Sequence, residues 1–351
     1  MFDRWFKKTS HDIGIDLGTS NTLVFIQDRG VVINEASVVA VNTRAGQILA
    51  VGREALKMQG KTPAHLQVIQ PLVDGVISDF EVAEKMLKYF FDRVHREHRM
   101  LTPRPRVVIG IPLDVTEVEK KAVEDAVMSA GAREVHLVQT IVAAAVGARL
   151  PIQDASGNML VDCGGGVTQV AVISLSGVVA SKSLRVAGSE VDVDIMNYAR
   201  HEFNLLVGER VAEEAKLYIS RSKEGAPLPT VKLRGRDLLT GLPREIGLSG
   251  EQMVSALRRS LKSIVDGIKS TLEVTPPELV ADIYQRGITL VGGGASLLGL
   301  REAIVEATKM KVIVVDDPMT CAVRGMGLLL EDAALLREIS IPSSQNDDIV
   351  R

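Results

Sequence analysis

Short apolar runs rich in Val and Ile alternate along the chain with longer segments in which apolar residues recur every three or four positions. The first pattern predicts strands and the second predicts helices. The predicted strands lie at 13–15, 23–26, 31–33, 38–41, 107–111, 135–138, 159–161, 170–173 and 287–291, and the predicted helices lie at 82–94, 116–130, 140–150, 190–203, 208–222 and 251–272. Strands that alternate with helices indicate an α/β protein with mixed sheets.

Two of the predicted strand pairs are joined by turns of similar sequence. The first turn reads Asp-Leu-Gly-Thr-Ser-Asn-Thr at 16–22, and the second reads Asp-Cys-Gly-Gly-Gly-Val-Thr at 162–168. Glycine and hydroxyl residues at such a tip let backbone N–H groups form a concave site for phosphate. An Asp at the entrance of the turn is then expected to face hydrated Mg²⁺. The repetition predicts a duplicated fold with a nucleotide between its halves.

A third glycine turn, Gly-Gly-Gly-Ala-Ser at 292–296, follows the predicted strand at 287–291. Apolar residues at Leu297, Leu300 and Ile304 predict a helix after it. A glycine turn that opens a helix places N–H donors and the positive end of the helix dipole near a ligand. Alone it would equally well be an ordinary strand–helix turn. Beside two hairpins of the phosphate type, it predicts a further contact with the nucleotide.

Composition narrows the classes of function. A length of 351 residues suggests about two domains, and 46% hydrophobic with 24% charged residues is typical of a globular protein. The formal net charge of −3 gives no reason to expect a nucleic-acid partner. Cys163 and Cys321 have neither metal nor disulfide spacing, and no apolar run reaches the ~18 residues of a membrane span. A cytoplasmic protein is expected.

Further motifs lie at 14–19, 74–77, 131–135, 143–147, 170–175, 241–244 and 317–321, over nearly the whole chain. Through them the chain resembles the actin/Hsp70/sugar-kinase ATPase superfamily and, within it, the MreB family of bacterial actins. The resemblance implies an actin-like fold with ATP and Mg²⁺ between two duplicated lobes. It also implies subunits that stack in paired antiparallel filaments under the membrane. Lobe I would comprise 10–150 with C-terminal helices at about 320–342, and lobe II would comprise 151–319.

The resemblance also assigns a site. It implies nucleotide contacts by Asp16, Gly18, Thr19, Ser20, Asn21, Asp162, Gly164, Gly165, Gly166, Thr168, Gly188, Glu213, Lys216, Gly293, Gly294, Ala295 and Ser296. Asp16 and Asp162 would hold Mg²⁺ through water. Glu213 and Lys216 are three residues apart and share one helical face, where the family touches ribose and adenine. Without the resemblance, a surface ion pair between these two would be the simpler interpretation.

Three motifs depart from the family pattern. The MreB family usually carries Glu-Glu-Pro before its alanine-rich helix, whereas this chain has Gln-Thr-Ile at 139–141. The second phosphate turn usually reads Gly-Gly-Gly-Thr-Thr-Glu, and here it reads Gly-Gly-Gly-Val-Thr-Gln at 164–169. A Gly-Gly-Asp expected on the following strand is here Ala-Gly-Ser at 187–189.

These departures predict slow or absent hydrolysis with nucleotide binding retained. A carboxylate orients water in line with the γ-phosphate, but Thr140 is a poor base and Val167 has no polar side-chain atom. Without these two groups, the rate of ATP hydrolysis could fall by ~10²–10⁴-fold. The weakened catalytic set would be Gln139, Thr140 and Thr168. Gln139 is a candidate substitute because a glutamine positions water in actin, although it lies one residue early. A fully active ATPase remains the alternative.

The N-terminal segment 1–9 contains the chain's only Trp. On a helix, Phe2, Trp5 and Phe6 share one face, while Arg4, Lys7 and Lys8 gather toward the other. This pattern predicts an interfacial membrane anchor, with an arm packed on the protein's own core as the alternative. Two helical turns bind weakly, so many copies in a polymer would be needed. Met100 and Leu101 match an apolar membrane loop of the family.

The leading hypothesis is therefore a filament protein on the inner face of the cytoplasmic membrane, working with the cell-wall machinery. A small-molecule kinase of the same superfamily is the second hypothesis, although no acceptor motif is evident. A chaperone-type ATPase would need a substrate-binding domain beyond the two lobes. The tail at 343–351 is polar and expected to be disordered.

Overall fold

A computed structural model describes residues 12–97, 104–222 and 227–342. The predicted membrane segment at 1–9, the pair Met100 and Leu101, and the tail at 343–351 lie outside these residues. Across the described ranges, no helix is long and apolar enough to cross a lipid bilayer.

Each predicted strand and helix is present within a few residues, and the structure contains further strands and helices that were not predicted. The strands are β1 Ile13–Leu17, β2 Asn21–Ile26, β3 Gly30–Ala36, β4 Val39–Asn42, β5 Gln47–Val51, β6 Leu66–Ile69, β7 Leu72–Val73, β8 Val76–Ile77, β9 Arg106–Ile111, β10 Glu134–Gln139, β11 Asn158–Cys163, β12 Thr168–Ser174, β13 Gly177–Leu184, β14 Leu205–Val207, β15 Val231–Asp237, β16 Pro243–Leu248, β17 Ile288–Val291 and β18 Val312–Val314. The α-helices are α1 Arg53–Met58, α2 Phe80–Glu97, α3 Glu117–Ala130, α4 Thr140–Gly147, α5 Gly188–Phe203, α6 Glu209–Ile219, α7 Gly250–Glu273, α8 Pro277–Arg286, α9 Leu300–Thr308, α10 Cys321–Glu331 and α11 Ala333–Ile339.

The two five-stranded sheets have the same topology. The first has strand order β10-β9-β1-β2-β3, and the second has order β18-β17-β11-β12-β13. In each sheet three consecutive strands pair antiparallel, and the first of them pairs in parallel with a strand from later in the chain. The predicted α/β class with mixed sheets is confirmed, and the repeated topology is that of a duplicated fold.

Local sequence signals explain where the helices begin and end. Helix α3 starts with a capping box, in which the Thr116 hydroxyl accepts from the Glu119 N–H and the Glu119 carboxylate accepts from the Thr116 N–H. Its buried residues, Val123, Val127 and others, recur every three or four positions and pack in the core of the first sheet.

Helices α4 and α10 cross at very short range and join the two halves. A Cβ atom on Gly325 would lie 1.7 Å from the Ala143 carbonyl oxygen, and one on Gly147 would lie 2.0 Å from the Cys321 carbonyl oxygen. Only glycine permits this approach. The apolar cluster around the crossing contains Val108 and Val138 from the first sheet and Leu160, Ala171, Ile173 and Val291 from the second.

Two predicted features of the backbone are wrong. The glycine turn at 292–296 does not open an α-helix directly. It forms a 3-10 turn, after which Leu297 is extended and Gly299 is left-handed (φ 79°), so α9 begins only at Leu300. Gly188 does not lie on a strand; it is the first residue of α5, after extended Ala187.

Candidate functional site

A cavity of about 620 Å³ lies between the two five-stranded sheets. The tips of both hairpins, the third glycine turn and one face of α6 line it. Its volume is in the range of small-molecule and cofactor sites. The elements that the sequence singled out for chemistry therefore meet at one place.

The two hairpin turns have the same backbone geometry. In the first, the Gly18 N–H donates to the Asn21 carbonyl over 3.1 Å; in the second, the Gly164 N–H donates to the Val167 carbonyl over 3.0 Å. The Asp at each turn entrance occupies an equivalent strand position, since Asp16 pairs with Leu23 across β1–β2 and Asp162 pairs with Gln169 across β11–β12. The duplication thus extends from sheet topology to single residues.

The tips of the two hairpins contact each other, and both line the cavity. A Cβ atom on Gly165 would lie 2.0 Å from the Ser20 hydroxyl oxygen, and one on Gly166 would lie 2.5 Å from the Thr19 hydroxyl oxygen. The Thr19 hydroxyl also accepts from the Gly75 N–H over 2.8 Å. Bare backbone is required at 165 and 166, and it leaves N–H groups free to face a ligand.

Asp16 and Asp162 both line the cavity, and both resist ionisation in the ligand-free protein. Burial raises the pKa of Asp16 to about 7, and the neighbouring charge of Asp162 adds to the increase. Burial also raises the pKa of Asp162 to about 6. A cation between these carboxyl groups and an anionic ligand would offset the unfavourable burial of their charge.

One face of α6 forms another wall. Glu213 and Lys216 both line the cavity, as predicted from their spacing. Lys216 is buried, and its ammonium donates to the Gly188 carbonyl over 2.8 Å and to Asp192 over 2.6 Å. Burial raises the pKa of Asp192 to about 6, although the Lys216 charge opposes the increase. The partner of Lys216 is therefore Asp192, and a surface ion pair with Glu213 is not present.

The first turn of α5 links that wall to the second hairpin. The Gly188 N–H donates to the Gly164 carbonyl over 3.1 Å, and the Ser189 N–H donates to the Gly165 carbonyl over 2.8 Å. Lys216, on α6, donates to the Gly188 carbonyl at the start of α5. Hydrogen bonds therefore connect both helices to the tip of the second hairpin.

A model of the MreB/Mbl protein family matches residues 10–338, which is nearly the whole chain. The chain belongs to the MreB/Mbl family. It is 44% identical over 323 residues to the cell shape-determining protein Mbl of Bacillus subtilis (strain 168), covering 92% of this chain and 96% of that relative. It is 45% identical over 326 residues to the cell shape-determining protein MreB of Escherichia coli (strain K12), covering 92% and 94%.

Solved structures of similar proteins confirm the actin-like fold. MreB5 of Spiroplasma citri bound to AMPPNP superposes with a TM-score of 0.88 at 34% identity, covering 94% of this chain and 98% of that chain. A MamK double helical filament gives a TM-score of 0.75 at 26% identity, covering 91% and 98%.

Most residues assigned from the MreB family motifs line the cavity. They are Asp16, Gly18, Thr19, Ser20, Asn21, Thr140, Asp162, Gly164, Gly165, Gly166, Gly188, Glu213, Lys216, Gly293, Gly294 and Ser296. Three assigned residues do not line it: Gln139, Thr168 and Ala295.

The Thr168 side chain points away from the cleft. It is fully buried, and its hydroxyl donates to the Val186 carbonyl over 2.7 Å. Gln139 ends β10, directly before the cleft-lining Thr140, and does not itself line the cavity. Ala295 is buried beneath the glycine turn and presents no side chain to the cavity.

Two of the positions that depart from the family pattern, Thr140 and Val167, lie in the cleft. Thr140 packs over Gly110, where an added Cβ would lie 2.7 Å from the Thr140 hydroxyl oxygen. Val167 faces Gly75 of the first half, where an added Cβ would lie 3.8 Å from the valine Cγ2. An apolar methyl group therefore occupies a position at which the MreB family usually has a hydroxyl.

Sequence reasoning missed several lining residues. Leu217 and Ser220 extend the α6 face of Glu213 and Lys216, and the spacing of 3, 4 and 7 residues could have found them. Pro318 and Met319 lie within a family motif but had received no role. Gln169, directly after Thr168, was also missed.

Proposed function

We propose that this chain binds Mg·ATP in the cleft and polymerises into membrane-associated filaments that direct cell shape and cell-wall synthesis. The observation that carries the proposal is the pair of duplicated hairpins, which bring Asp16, Asp162 and two glycine-rich tips to one cavity. Relatives named cell shape-determining proteins support the cellular role. MreB5 structures bound to ADP and AMPPNP support a nucleotide as the ligand.

The hairpin tips are suited to the phosphates. Gly18, Gly165 and Gly166 offer backbone without an intervening side chain, and such turns bind anions through their N–H groups. Asp16 and Asp162 would hold Mg²⁺ through water, with phosphate oxygens completing the shell. The raised pKa values of both carboxyl groups fit this role. When bound, Mg²⁺ would neutralise charge on the phosphates.

The wall formed by α6 is suited to the nucleoside. The Lys216 ammonium has three donors, and the Gly188 carbonyl and Asp192 use two of them. The remaining donor and the Glu213 carboxylate would contact the ribose, while Gly293, Gly294 and Ser296 would back the adenine. Because Lys216 also holds α5, nucleoside binding would stabilise the second hairpin.

Hydrolysis is proposed to be slow. An efficient site positions a water in line with the γ-phosphate. Thr140 is short and its hydroxyl is a poor base, and Val167 offers only methyl groups to that side of the cavity. Binding does not depend on these side chains, because backbone N–H groups and the two Asp residues supply it. ATP would thus stay bound longer than in a relative with the complete motif.

The two halves are proposed to act as lobes, with lobe I at 10–150 and 320–342 and lobe II at 151–319. The crossing of α4 and α10 would be the pivot, because it is the shared core of both sheets. ATP would close the lobes by bridging both hairpins, and closure would favour the polymer.

Assembly and location follow from the family. The subunits would meet head to tail, a heterologous contact that builds open filaments, and pairs of strands would run antiparallel. The inner face of the cytoplasmic membrane would be bound by two apolar segments. One is 1–9, with Phe2, Trp5 and Phe6, and the other is the pair Met100 and Leu101. Many weak anchors along one filament would give firm attachment.

Sedimentation tests this function. The protein is spun with Mg·ATP, with Mg·ADP and without nucleotide, each with and without anionic vesicles, and no second substrate is added. Pelleting that requires nucleotide and rises with vesicles supports the proposal. The variant Asp162→Asn should lose ATP-dependent pelleting, whereas Asp28→Asn, at an exposed turn, should behave as the native protein. A protein that stays in the supernatant under all these conditions, and that transfers phosphate to a sugar in a separate assay in which the sugar is added, would be a kinase.

A further inference from the structure

Gln169 is a buried polar residue of the cleft without a structural role. It is only 4% exposed, and it lines the cavity. No side-chain hydrogen bond joins its amide to any of the residues in 12–97, 104–222 and 227–342. Its amide atoms are not among the fully enclosed polar atoms that lack a partner, so they are accessible within the cavity. A ligand or an ordered water in the cavity would supply the missing partner.

The strand register fixes where this amide points. Gln169 is paired directly with Asp162 across β11–β12. Directly paired residues project from the same face of a sheet, so the amide stands beside the Asp162 carboxyl group. Thr168 projects from the opposite face, where its hydroxyl reaches Val186. Gln169 therefore shares its face with one of the proposed metal-facing carboxylates.

The first hairpin provides an internal comparison. Its equivalent position is Leu23, which pairs with Asp16 as Gln169 pairs with Asp162. Leu23 is 3% exposed and also lines the cavity. The duplicated fold therefore accepts an apolar residue at this position, and packing does not require the amide of Gln169. The polar group is present only in the hairpin that also carries Val167.

We propose that Gln169 orients the water that attacks the γ-phosphate of ATP, and this inference rests on the nucleotide site proposed above. The water oxygen bonds to the γ-phosphorus while the bond to the β–γ bridging oxygen breaks. The electron pair of that bond leaves with ADP, one water proton ends on the released phosphate, and the other goes to solvent. An amide is no base, but phosphoryl transfer depends mainly on positioning, so slow turnover persists.

Single-turnover phosphate release tests the role. Gln169→Met keeps the side-chain length without polar hydrogen-bonding groups, so kcat should fall by ~10-fold or more, while the affinity for a fluorescent ATP analogue stays within about twofold. Gln169→Glu should restore release to at least the native rate, because a carboxylate also accepts from water. The matched control is Gln285→Met, on the exposed face of α8 and outside the cavity, which should keep the native kcat.

A binding measurement gives an independent readout. ADP with aluminium fluoride mimics the transition state, and Gln169→Met should weaken its binding by the same factor as kcat, with ADP affinity unchanged. The inference is overturned by native protein that binds ATP but releases no phosphate, by unchanged kcat in Gln169→Met, or by an equal loss in Gln285→Met. Failure of the native protein to bind the fluorescent ATP analogue would instead overturn the proposed function on which the inference rests.

Discussion

Gly165 in the second hairpin lies so close to Ser20 in the first that a Cβ atom at 165 would be 2.0 Å from the serine hydroxyl oxygen. The next pair, Gly166 and Thr19, repeats the contact at 2.5 Å. The two halves of the protein therefore meet through bare backbone at the point where phosphates are proposed to bind. The proposed closure over a nucleotide would require that no side chain stands at these positions.

Gly165→Ala is accordingly expected to hold the hairpins apart. Its methyl group would meet Ser20 without straining the local backbone, because Gly165 does not have a left-handed φ. ATP affinity, measured with a fluorescent analogue, should fall ~10-fold or more, corresponding to about 1.4 kcal/mol. Gly208→Ala is the control, since nothing lies within 4 Å of an added Cβ there. Native affinity in Gly165→Ala would contradict the proposed closure.

The buried pair of Lys216 and Asp192 predicts a strong effect on stability. Lys216→Met removes the cation and leaves a buried carboxyl group without its partner. Breaking such a pair typically costs about 3–5 kcal/mol. Thermal unfolding should show a much lower Tm, and the double variant Lys216→Met/Asp192→Leu should recover much of the loss. A double variant that unfolds at least as readily as Lys216→Met would rule out this coupling.

Asp16 predicts a pH dependence of the nucleotide-free protein. Its pKa in the folded state is about 7, against an ordinary value of 3.8. Between these values the folded state binds more protons than the unfolded state, so the free energy of unfolding decreases as pH rises and levels off above pH 7. Asp16→Asn cannot ionise, so its Tm advantage over native protein in EDTA should be larger at pH 8 than at pH 5. An advantage that does not change with pH would contradict this origin.

The altered hydrolysis positions predict a gain of function. Thr140 and Val167 both line the cavity, so longer or polar side chains there can extend toward a ligand. The double variant Thr140→Glu/Val167→Thr carries the residues of the family pattern at both positions. Its rate of phosphate release should be ~10²-fold higher or more, because the cavity then contains a carboxylate and a hydroxyl at these positions. ATP affinity should change little. An unchanged rate would mean that these two positions do not limit hydrolysis.

Strands and helices could be predicted from the sequence where capping or turn residues agreed with the spacing of apolar residues. Helix α3 has its capping box at Thr116 and Glu119, and its apolar period is that of a surface helix. The hairpins were predictable because two similar turns each separate apolar strands. The same reasoning failed at Leu297, whose apolar spacing matches α9, because the left-handed Gly299 delays the start of the helix to Leu300.

The site required tertiary information that no local pattern carries. The direction of Thr168 depends on the Val186 carbonyl, which arrives from the loop after β13. The partner of Lys216 is Asp192 on a different helix rather than Glu213 one turn away. Gln169 could have been suspected, since alternate strand residues share a face and Val167 was already placed in the cleft. Its cross-strand pairing with Asp162 emerged only from the register of β11–β12.

The most direct test of the account is to follow phosphate release and light scattering in the same tube after purified protein is mixed with Mg·ATP. We predict that scattering rises while phosphate release stays far below that of Thr140→Glu/Val167→Thr, so that assembly precedes most hydrolysis. Rapid release accompanying assembly would mean that Thr140 and Val167 are tolerated and that the cleft is an ordinary ATPase site. No rise in scattering with ATP would contradict the filament itself.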